Sequence, residues 1–292
     1  MRSPRRPQPP PRRSLFACSP AARWAVALVT LLASVTATVP STAAAPAPVR
    51  YVAMGDSAAS GAGVPPLSDL LCLRSANNYP HHVARRLHPA TFTDVTCQGA
   101  GATTLGTQLA ALSPDTTLVT LTIGAQAIAA RDVILKCTAA GALVLHGSPC
   151  RDSYRRTGQD ELHHKVTAAQ AETTEALHAI RRRAPRAQIL LVGYLKLFPA
   201  DGPGCRPRET FADGDRAYLS DIEEHLNTVL ARSTRTAGAK FINLHPASTG
   251  HTICTGATDR WVEGLLAPSP AQMFHPNLAG HQAVARHILD HL

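Results

Sequence analysis

The chain has 292 residues, with 29 lysines and arginines against 20 aspartates and glutamates, which gives a net charge of +9. Six of the arginines fall within the first 23 positions, and the rest of the chain has 23 basic residues against 20 acidic ones, a net charge of +3. So small an excess excludes the electrostatic footprint of a nucleic-acid-binding domain, and we expect no nucleic-acid partner.

The amino end has the order of an export signal. An arginine-rich start is followed by an uncharged apolar run at 24–39 and by small residues with proline at 41–47. This order predicts a signal peptide cleaved after Ala45, because the apolar run of about 16 residues is shorter than the roughly 20 of a membrane span. Arg12 and Arg13 fit a twin-arginine export signal or an ordinary basic leader equally well. We expect residues 1–45 to be removed and residues 46–292 to form one secreted domain, without stable membrane insertion.

Beyond the leader, apolar runs alternate with amphipathic stretches. In chain order we predict strand 51–54, helix 78–87, strand 92–97, strand 117–123, helix 127–137, helix 160–183, strand 188–192, helix 218–237, strand 241–244 and helix 280–292. Segments 138–154 and 198–215 are predicted to be irregular insertions. Such alternation implies a parallel sheet covered by helices on both faces, with the site beyond the carboxyl ends of the strands.

The predicted secreted domain contains six cysteines, an even number that indicates disulfide bonds in an exported chain. Six cysteines allow 15 connectivities, and the residues alone do not choose among them. Zinc is the alternative, but the chain has no Cys-x-x-Cys pair, and we expect neither a metal nor another cofactor. The cysteines are Cys72, Cys97, Cys137, Cys150, Cys205 and Cys254.

The turn Gly55-Asp56-Ser57 follows the first predicted strand. This position puts Ser57 at the mouth of the sheet, with its hydroxyl exposed and its backbone N–H able to face a substrate oxygen. Ser57 is therefore a candidate nucleophile. The alternative is a helix cap beside a flexible loop, because aspartate and serine are both common at helix starts.

His275-Pro276-Asn277 comes just before the last predicted helix. A serine nucleophile needs a base within hydrogen-bond reach, and histidine provides one near neutral pH. Pro276 and Gly280 favour a loop around His275. A lone histidine before a helix is more often structural, so each of the two motifs leaves both interpretations open.

Together, the two motifs resemble the first and last blocks of the SGNH (GDSL-type) hydrolases. Residues 94–100 match the second block and residues 119–124 the third, as in the secreted members made by actinomycetes, so the resemblance covers nearly all of the chain after Arg50. It implies a three-layer α/β/α fold around a central, mostly parallel, five-stranded, flavodoxin-like sheet. It also implies hydrolysis of acyl esters, with Ser57 as nucleophile and His275 as general base.

The same resemblance implies further roles. The oxyanion donors are the N–H of Ser57, the N–H of Gly99 and the side chain of the third-block asparagine, whose position holds Gln126 in this chain. The secreted subgroup pairs its cysteines in sequence, which here implies Cys72–Cys97, Cys137–Cys150 and Cys205–Cys254.

Two positions depart from the family pattern. Where the family has Gly-Gly-Asn-Asp, this chain has Gly124-Ala125-Gln126-Ala127, so the amide donor is carried on one more methylene. Loss of one oxyanion donor costs about 10²–10³ in rate. Gln272 replaces the aspartate three residues before His275, and we expect Gln272 to orient the imidazole through its backbone carbonyl or its side-chain amide.

These observations predict a secreted, monomeric esterase or lipase that works through a Ser–His dyad and an acyl-enzyme on small-molecule or lipid esters. The departures at Gln126 and Ala127 support a second hypothesis, a catalytically weakened relative that binds acyl or glycan ligands without turnover. Acyl-chain length and head-group preference depend on pocket shape rather than on motifs.

Overall fold

The structure, a computed structural model, describes residues 48–292 apart from positions 200 and 203. The predicted signal peptide lies outside the described residues. Those residues belong to one compact unit. No helix within this part of the chain is long and apolar enough to cross a membrane.

A five-stranded sheet lies at the centre, in the order β4-β1-β5-β6-β7, and each neighbouring pair is parallel. β5 is buried throughout, and β1 and β6 are buried at every residue after the first, as strands are when helices cover both faces. The predicted parallel sheet is therefore confirmed. A separate antiparallel hairpin consists of β2 and β3. The strands are β1 (Arg50–Gly55), β2 (Leu67–Asp69), β3 (Arg74–Ser75), β4 (Thr91–Asp94), β5 (Leu118–Thr122), β6 (Gln188–Val192) and β7 (Lys240–Ile242).

Helices flank the sheet in two layers. The described α-helices are α1 (Ser57–Ser60), α2 (Tyr79–Leu87), α3 (Gly106–Leu109), α4 (Ala130–Leu143), α5 (Pro149–Tyr154), α6 (Glu161–Arg183), α7 (Asp213–Ala237) and α8 (Leu278–Leu289). α2 packs against α8, and α6 packs against α7. With the sheet between them, these pairs make the three-layer α/β/α fold that the resemblance implies.

Local chemistry sets the limits of the longest helices. The side chain of Asp160 accepts hydrogen bonds from the N–H groups of Leu162 and His163, which would otherwise lack partners at the start of α6. Gly238 ends α7 in the left-handed conformation with a φ of 61°, which glycine adopts without steric cost. The chain then enters β7 two residues later.

Some predicted boundaries are wrong. Segment 138–154 is not irregular, because it contains the end of α4 and all of α5, and α7 begins at Asp213 rather than at position 218. A disulfide bond between Cys137 and Cys150 joins α4 to α5, and Gly141 lies so close to the backbone of Thr210 that a Cβ would be 2.1 Å from its carbonyl oxygen. These tertiary contacts stabilise the last turns of α4 and the whole of α5, which the local pattern did not indicate.

Three disulfide bonds join the cysteines in the sequential pairs that the resemblance implies, Cys72–Cys97, Cys137–Cys150 and Cys205–Cys254. The first connects the β2–β3 hairpin to the segment after β4. The third connects the segment before α7 to the segment after β7. Each bond therefore fixes a loop outside the central sheet.

The strand order reverses at β1, because the chain passes from β1 to β4 on one side and then to β5 on the other. In open α/β sheets, ligands bind in the crevice outside the carboxyl ends of the strands at such a reversal. The segments that follow β1, β4 and β5 meet at this edge, and they carry Ser57, Gly99 and Gln126 respectively.

Candidate active site

Ser57 lies at the first position of α1, directly after β1. Gly55 has a φ of 135°, and a Cβ there would lie 2.4 Å from the carbonyl oxygen of Thr122 in β5, so only glycine allows so close a turn. Asp56 caps α1 by accepting a hydrogen bond from the N–H of Ala58 at 2.9 Å. The turn therefore presents the Ser57 hydroxyl at the carboxyl edge of the sheet.

Ser57 and His275 meet although 218 positions separate them in the chain. Nε2 of His275 is 2.7 Å from Oγ of Ser57, and Nδ1 is 2.8 Å from the carbonyl oxygen of Met273. Because a carbonyl oxygen can only accept, Nδ1 carries the proton and Nε2 turns its lone pair toward the serine hydroxyl. Burial lowers the pKa of His275 below its ordinary value, which keeps the imidazole neutral at pH 7.

The prediction that Gln272 orients His275 is wrong. The backbone carbonyl of Gln272 accepts the backbone N–H of His275 at 3.1 Å, and its side-chain Oε1 has no partner among the described residues. Phe274, between them, has a φ of 59°. The tight turn thus occupies the carbonyl of Gln272 and directs the carbonyl of Met273 at the ring.

The loop that carries His275 is anchored on two sides. The N–H of Gln272 donates to the carbonyl of Ala62 at 2.8 Å, which ties the loop to the end of the nucleophile turn. The N–H of Glu263 donates to the carbonyl of His275 at 3.0 Å, and the side chain of Asn277 donates to the carboxylate of Glu263 at 2.8 Å. The imidazole is therefore positioned by backbone and buried polar contacts on both sides.

Two main-chain N–H groups are available as oxyanion donors. Ser57 and Gly99 both line the same cavity, and neither N–H has an acceptor among the residues that the structure describes. Gly99 has a φ of 79° and follows Cys97, whose own N–H is bonded to the carbonyl of Gly55 at 2.9 Å. Unpaired N–H groups held beside a serine are the elements of an oxyanion hole.

Gln126 lies beside Gly99 and is exposed. Its Nε2 donates to the carbonyl oxygen of Gly99 at 3.1 Å. An amide nitrogen carries two hydrogens, so this bond uses one N–H and leaves the other for a substrate oxygen. The longer side chain of Gln126 therefore lies beside the main-chain donor Gly99, with one of its two amide hydrogens already bonded to the protein.

Tyr194, which the motifs do not identify, bridges the nucleophile turn and the Gln126 loop. Its hydroxyl donates to Oδ2 of Asp56 at 2.5 Å and accepts the N–H of Ala125 at 2.9 Å. Burial raises the pKa of Asp56 to about 6, although the bond from Tyr194 opposes the rise. Burial, together with Asp56, raises the pKa of Tyr194 well above its ordinary value, so the phenol stays protonated. Tyr194 follows the end of β6 by two residues, at the carboxyl edge of the sheet, and this position is the signal that could have identified it.

Gln108 is a second residue that the sequence analysis missed. It is buried, its Nε2 donates to the carbonyl of Gly55 at 3.0 Å, and its Oε1 accepts the N–H of Gly55 at 2.7 Å. The amide thus fixes the end of β1 from which the nucleophile turn departs. Gln108 lies in the short helix α3, 53 positions after Gly55, and no local sequence pattern marks it.

The candidate dyad opens onto a cavity of about 390 Å³, within the range of small-molecule sites. Besides His275, its lining contains one basic and one acidic side chain, Arg131 and Glu223, and both carboxyl oxygens of Glu223 accept the N–H of Leu197. The rest is mostly apolar, and it includes Ile128, Val133, Ile134, Leu195, Phe198, Leu219, Ile222, Leu226 and Phe274. Such a lining favours an aliphatic chain beside the candidate nucleophile.

Comparison with known proteins decides the family. The model of the GDSL-like lipase/acylhydrolase family matches residues 53–283. The chain belongs to this family. Membership makes it a carboxylic ester hydrolase of the esterase and lipase type, as the resemblance of its motifs implies.

Relatives of this GDSL-like hydrolase extend over most of its length. Lipase 2 of Streptomyces coelicolor is 38% identical over 254 residues, which cover 82% of this chain and 84% of that protein. The crystal structure of an extracellular lipase from Streptomyces rimosus has a TM-score of 0.72 at 25% identity and covers 83% of this chain and 99% of that one. A phospholipase A1 from Streptomyces albidoflavus, at 24% identity and a TM-score of 0.68 over 84% of this chain and 99% of that one, shares the fold.

Proposed function

We propose that this GDSL-like hydrolase is a secreted, monomeric lipase or esterase that cleaves acyl esters through a Ser57–His275 dyad and an acyl-enzyme. The observation that carries the proposal is the 2.7 Å contact between Nε2 of His275 and Oγ of Ser57, with the opposite ring nitrogen protonated toward the carbonyl of Met273. That arrangement gives the serine a base of the correct tautomer.

The reaction proceeds in two halves. Oγ of Ser57 attacks the ester carbonyl carbon while Nε2 of His275 takes its proton, and the resulting oxyanion is stabilised by the N–H groups of Ser57 and Gly99. Collapse of this intermediate breaks the bond to the alcohol, which leaves with the proton from His275. In the second half His275 takes a proton from water, the hydroxide attacks the acyl-enzyme, and Ser57 recovers its proton as the carboxylic acid leaves.

The second N–H of Gln126 contributes to the oxyanion interaction in part. Its other N–H is bonded to Gly99, so the amide approaches the oxyanion from a fixed position rather than from an optimised one. A donor displaced by about 1 Å can lose much of its effect. We therefore assign the two main-chain donors the larger share.

An acyl chain occupies the apolar cavity in this proposal. Burial of each methylene contributes about 0.8 kcal/mol, which is about fourfold in kcat/KM when the group is buried in the transition state. The lining then favours medium and long acyl chains over acetate. A lipid ester fits this preference better than an acetylated sugar, because a sugar offers hydroxyl groups that a mostly apolar lining leaves unpaired.

Several features support secretion through a signal peptide at residues 1–45, with one hydrolase domain in the remainder. The three disulfide bonds suit an oxidising compartment. The amino end has the order of a cleavable leader. The structural relative from Streptomyces rimosus is described as extracellular.

The alternative of a binding protein without turnover has less support. It depends on the exchange of asparagine for glutamine at position 126, whereas Ser57, His275 and the main-chain donors have the arrangement that catalysis requires. Loss of one side-chain donor lowers a rate without abolishing it.

Hydrolysis of nitrophenyl esters of increasing chain length tests the proposal. We expect turnover by the wild type, kcat/KM that rises with each methylene until the cavity is filled, and no turnover by Ser57→Ala. Ser68→Ala is the matched control, because Ser68 is an exposed serine in β2. Full activity of Ser57→Ala would exclude Ser57 as nucleophile, and a rate independent of chain length would exclude the cavity as the acyl site.

A further inference from the structure

Helix α4 has an apolar outer face. Apart from Lys136, the exposed side chains from position 135 to position 145 are all apolar, and they are Leu135, Ala139, Ala142, Leu143, Val144 and Leu145. Leu143 is 87% exposed and Leu145 50%. Single exposed leucines are common in soluble proteins, but a contiguous apolar patch marks an interaction site. We refer to these six residues as the α4 surface.

The α4 surface is not explained by packing of the helix. The inner face of α4 is already occupied, because Cys137 is bonded to Cys150 and Gly141 is packed on the backbone of Thr210. No charged residue occurs between Lys136 and His146, and the ammonium of Lys136 lies 3.9 Å from the ring centre of Tyr154. A helix with water on one side ordinarily carries polar residues there.

Both ends of α4 lie at the carboxyl edge of the sheet, where the site is. The helix starts four residues after Gln126. Beyond its end, the carbonyl of Leu145 accepts the N–H of Asp213, the first residue of α7. Because α7 runs back to the amino end of β7, its first residue also lies at the carboxyl edge. Helix α4 therefore begins and ends at the edge of the sheet where the site lies, and its first turns line the cavity.

The α4 surface continues into the cavity. Leu135 lines the cavity and is 47% exposed, and Met273, next to the His275 loop, lines it and is 46% exposed. Arg131, in the first turn of α4, also lines the cavity and is exposed. The opening is thus bordered by apolar side chains and one cation.

We infer that the α4 surface docks onto the surface of aggregated lipid, so that an acyl chain passes from the aggregate into the cavity without crossing water. This inference rests on the proposed function. Esters whose acyl chains suit an apolar cavity form aggregates in water, since the same chains avoid it. The apolar stripe inserts among the chains, and Arg131 at the opening lies at the level of the phosphate or carbonyl oxygens of the aggregate.

Flotation with phosphatidylcholine vesicles tests the inference. The proteins are compared in the Ser57→Ala background, which prevents hydrolysis during the assay. The test variant is Leu143→Ser with Leu145→Ser. The control is Leu292→Ser, which is 45% exposed but lies at the opposite edge, where Lys240 at the start of β7 donates to the carbonyl of His291. We expect the parent and the control to float and the test variant to lose at least tenfold in vesicle affinity.

Activity with Ser57 intact separates docking from catalysis. We expect the double variant to retain kcat/KM on dissolved nitrophenyl butyrate and to lose at least tenfold on an emulsified long-chain ester. Equal flotation of the Ser57→Ala parent and the double variant, or a parent that does not float, would overturn the inference. So would sedimentation equilibrium that showed a dimer dissociated by the two substitutions, since the occupant would then be a second copy. If no variant hydrolysed nitrophenyl butyrate, the proposed function would fail, while flotation would still report on the surface.

Discussion

The dyad, Ser57 and His275, and the Gln126 loop, residues 124–127, border one cavity but are held in different ways. The ring of His275 is oriented by a peptide carbonyl, and its loop is bonded through the backbone to the nucleophile turn and to Glu263. Gln126, in contrast, is exposed and its amide is bonded to one carbonyl, that of Gly99. A peptide carbonyl can therefore take the place of the family's aspartate as the acceptor for Nδ1 of His275, whereas the reach of a side-chain donor depends on the length of that side chain.

This difference assigns the chemistry unequally to the two regions. A neutral carbonyl fixes the tautomer of His275 as well as a carboxylate does, but it stabilises the imidazolium less. The longer amide at position 126 has to share its hydrogens between the protein and the substrate. We therefore expect large effects from substitutions in the dyad and graded effects around the Gln126 loop.

The largest expected effect is that of His275→Ala. Without a base, Ser57 keeps its proton, and groups that act as a unit lose about 10⁶ in kcat when one is removed. The measurement is kcat on nitrophenyl butyrate. His164→Ala is the control, because His164 is an exposed histidine of α6. A loss of less than about 10² would mean that another group serves as base.

The next largest expected effect on kcat is that of Tyr194→Phe. The substitution removes the donor to Asp56 and the acceptor for the N–H of Ala125, so the nucleophile turn and the Gln126 loop lose their connection. We expect kcat to fall about 10- to 100-fold with little change in KM, because the loss affects positioning in the transition state. Tyr218→Phe also removes a bond from a buried tyrosine to a carboxylate, that of Asp160, but it should leave kcat unchanged. Equal losses in both variants would indicate a general loss of stability.

A second readout of Tyr194→Phe is the pH dependence of stability. The pKa of Asp56 is about 6 in the folded protein, against an ordinary value of 3.8. The contribution of Asp56 to the free energy of unfolding is therefore largest below about pH 4 and is lost as the pH rises through 6. Without the bond from Tyr194, the pKa of Asp56 rises further, and the loss of unfolding free energy extends to higher pH. Unfolding free energies measured between pH 4 and 8, relative to wild type, should show this shift, and identical profiles would contradict the role of Tyr194.

Gln126→Ala has a smaller expected effect, about a tenfold drop in kcat, which is below the full cost of an oxyanion donor. The reason is the bond to Gly99, which uses one of the two amide hydrogens. The control is Gln98→Ala, since Gln98 is a second exposed glutamine that lines the cavity. A silent Gln126→Ala, together with higher activity after Gln126→Asn and Ala125→Gly, would show that the native amide does not reach the oxyanion.

Gln272→Ala has the smallest expected effect, within about twofold in kcat, because orientation of His275 comes from the carbonyl of Met273 and not from the Gln272 side chain. The backbone turn that Gln272 makes with His275 survives the substitution. Kinetics on the butyrate ester would check this. A tenfold loss, rescued by Gln272→Glu or Gln272→Asp, would restore the side chain as the orienting group.

Much of the fold and part of the site could be predicted from the sequence, and the remainder depends on contacts between distant residues. The apolar run of β6 predicts its bounds to the residue, and the structure brings together Ser57 and His275, the pair that the family resemblance indicates. Tyr194 could not be predicted in this way, since no motif marks it and its bonds to Asp56 and to the N–H of Ala125 form only in the folded chain. The choice of Met273 over Gln272 follows from the positive φ of Phe274, a backbone property that no local residue pattern announces.

The central claim is that His275, held by a peptide carbonyl, activates Ser57. The most direct measurement is the rate at which a fluorophosphonate labels Ser57 as a function of pH, with the adduct located by peptide mass spectrometry. Because burial lowers the pKa of His275, we expect the labelling rate to fall on acidification with a midpoint below 6.5, the ordinary pKa of histidine. His275→Ala should abolish labelling. An adduct on another residue, or a rate through Ser57 that is independent of His275, would contradict the account.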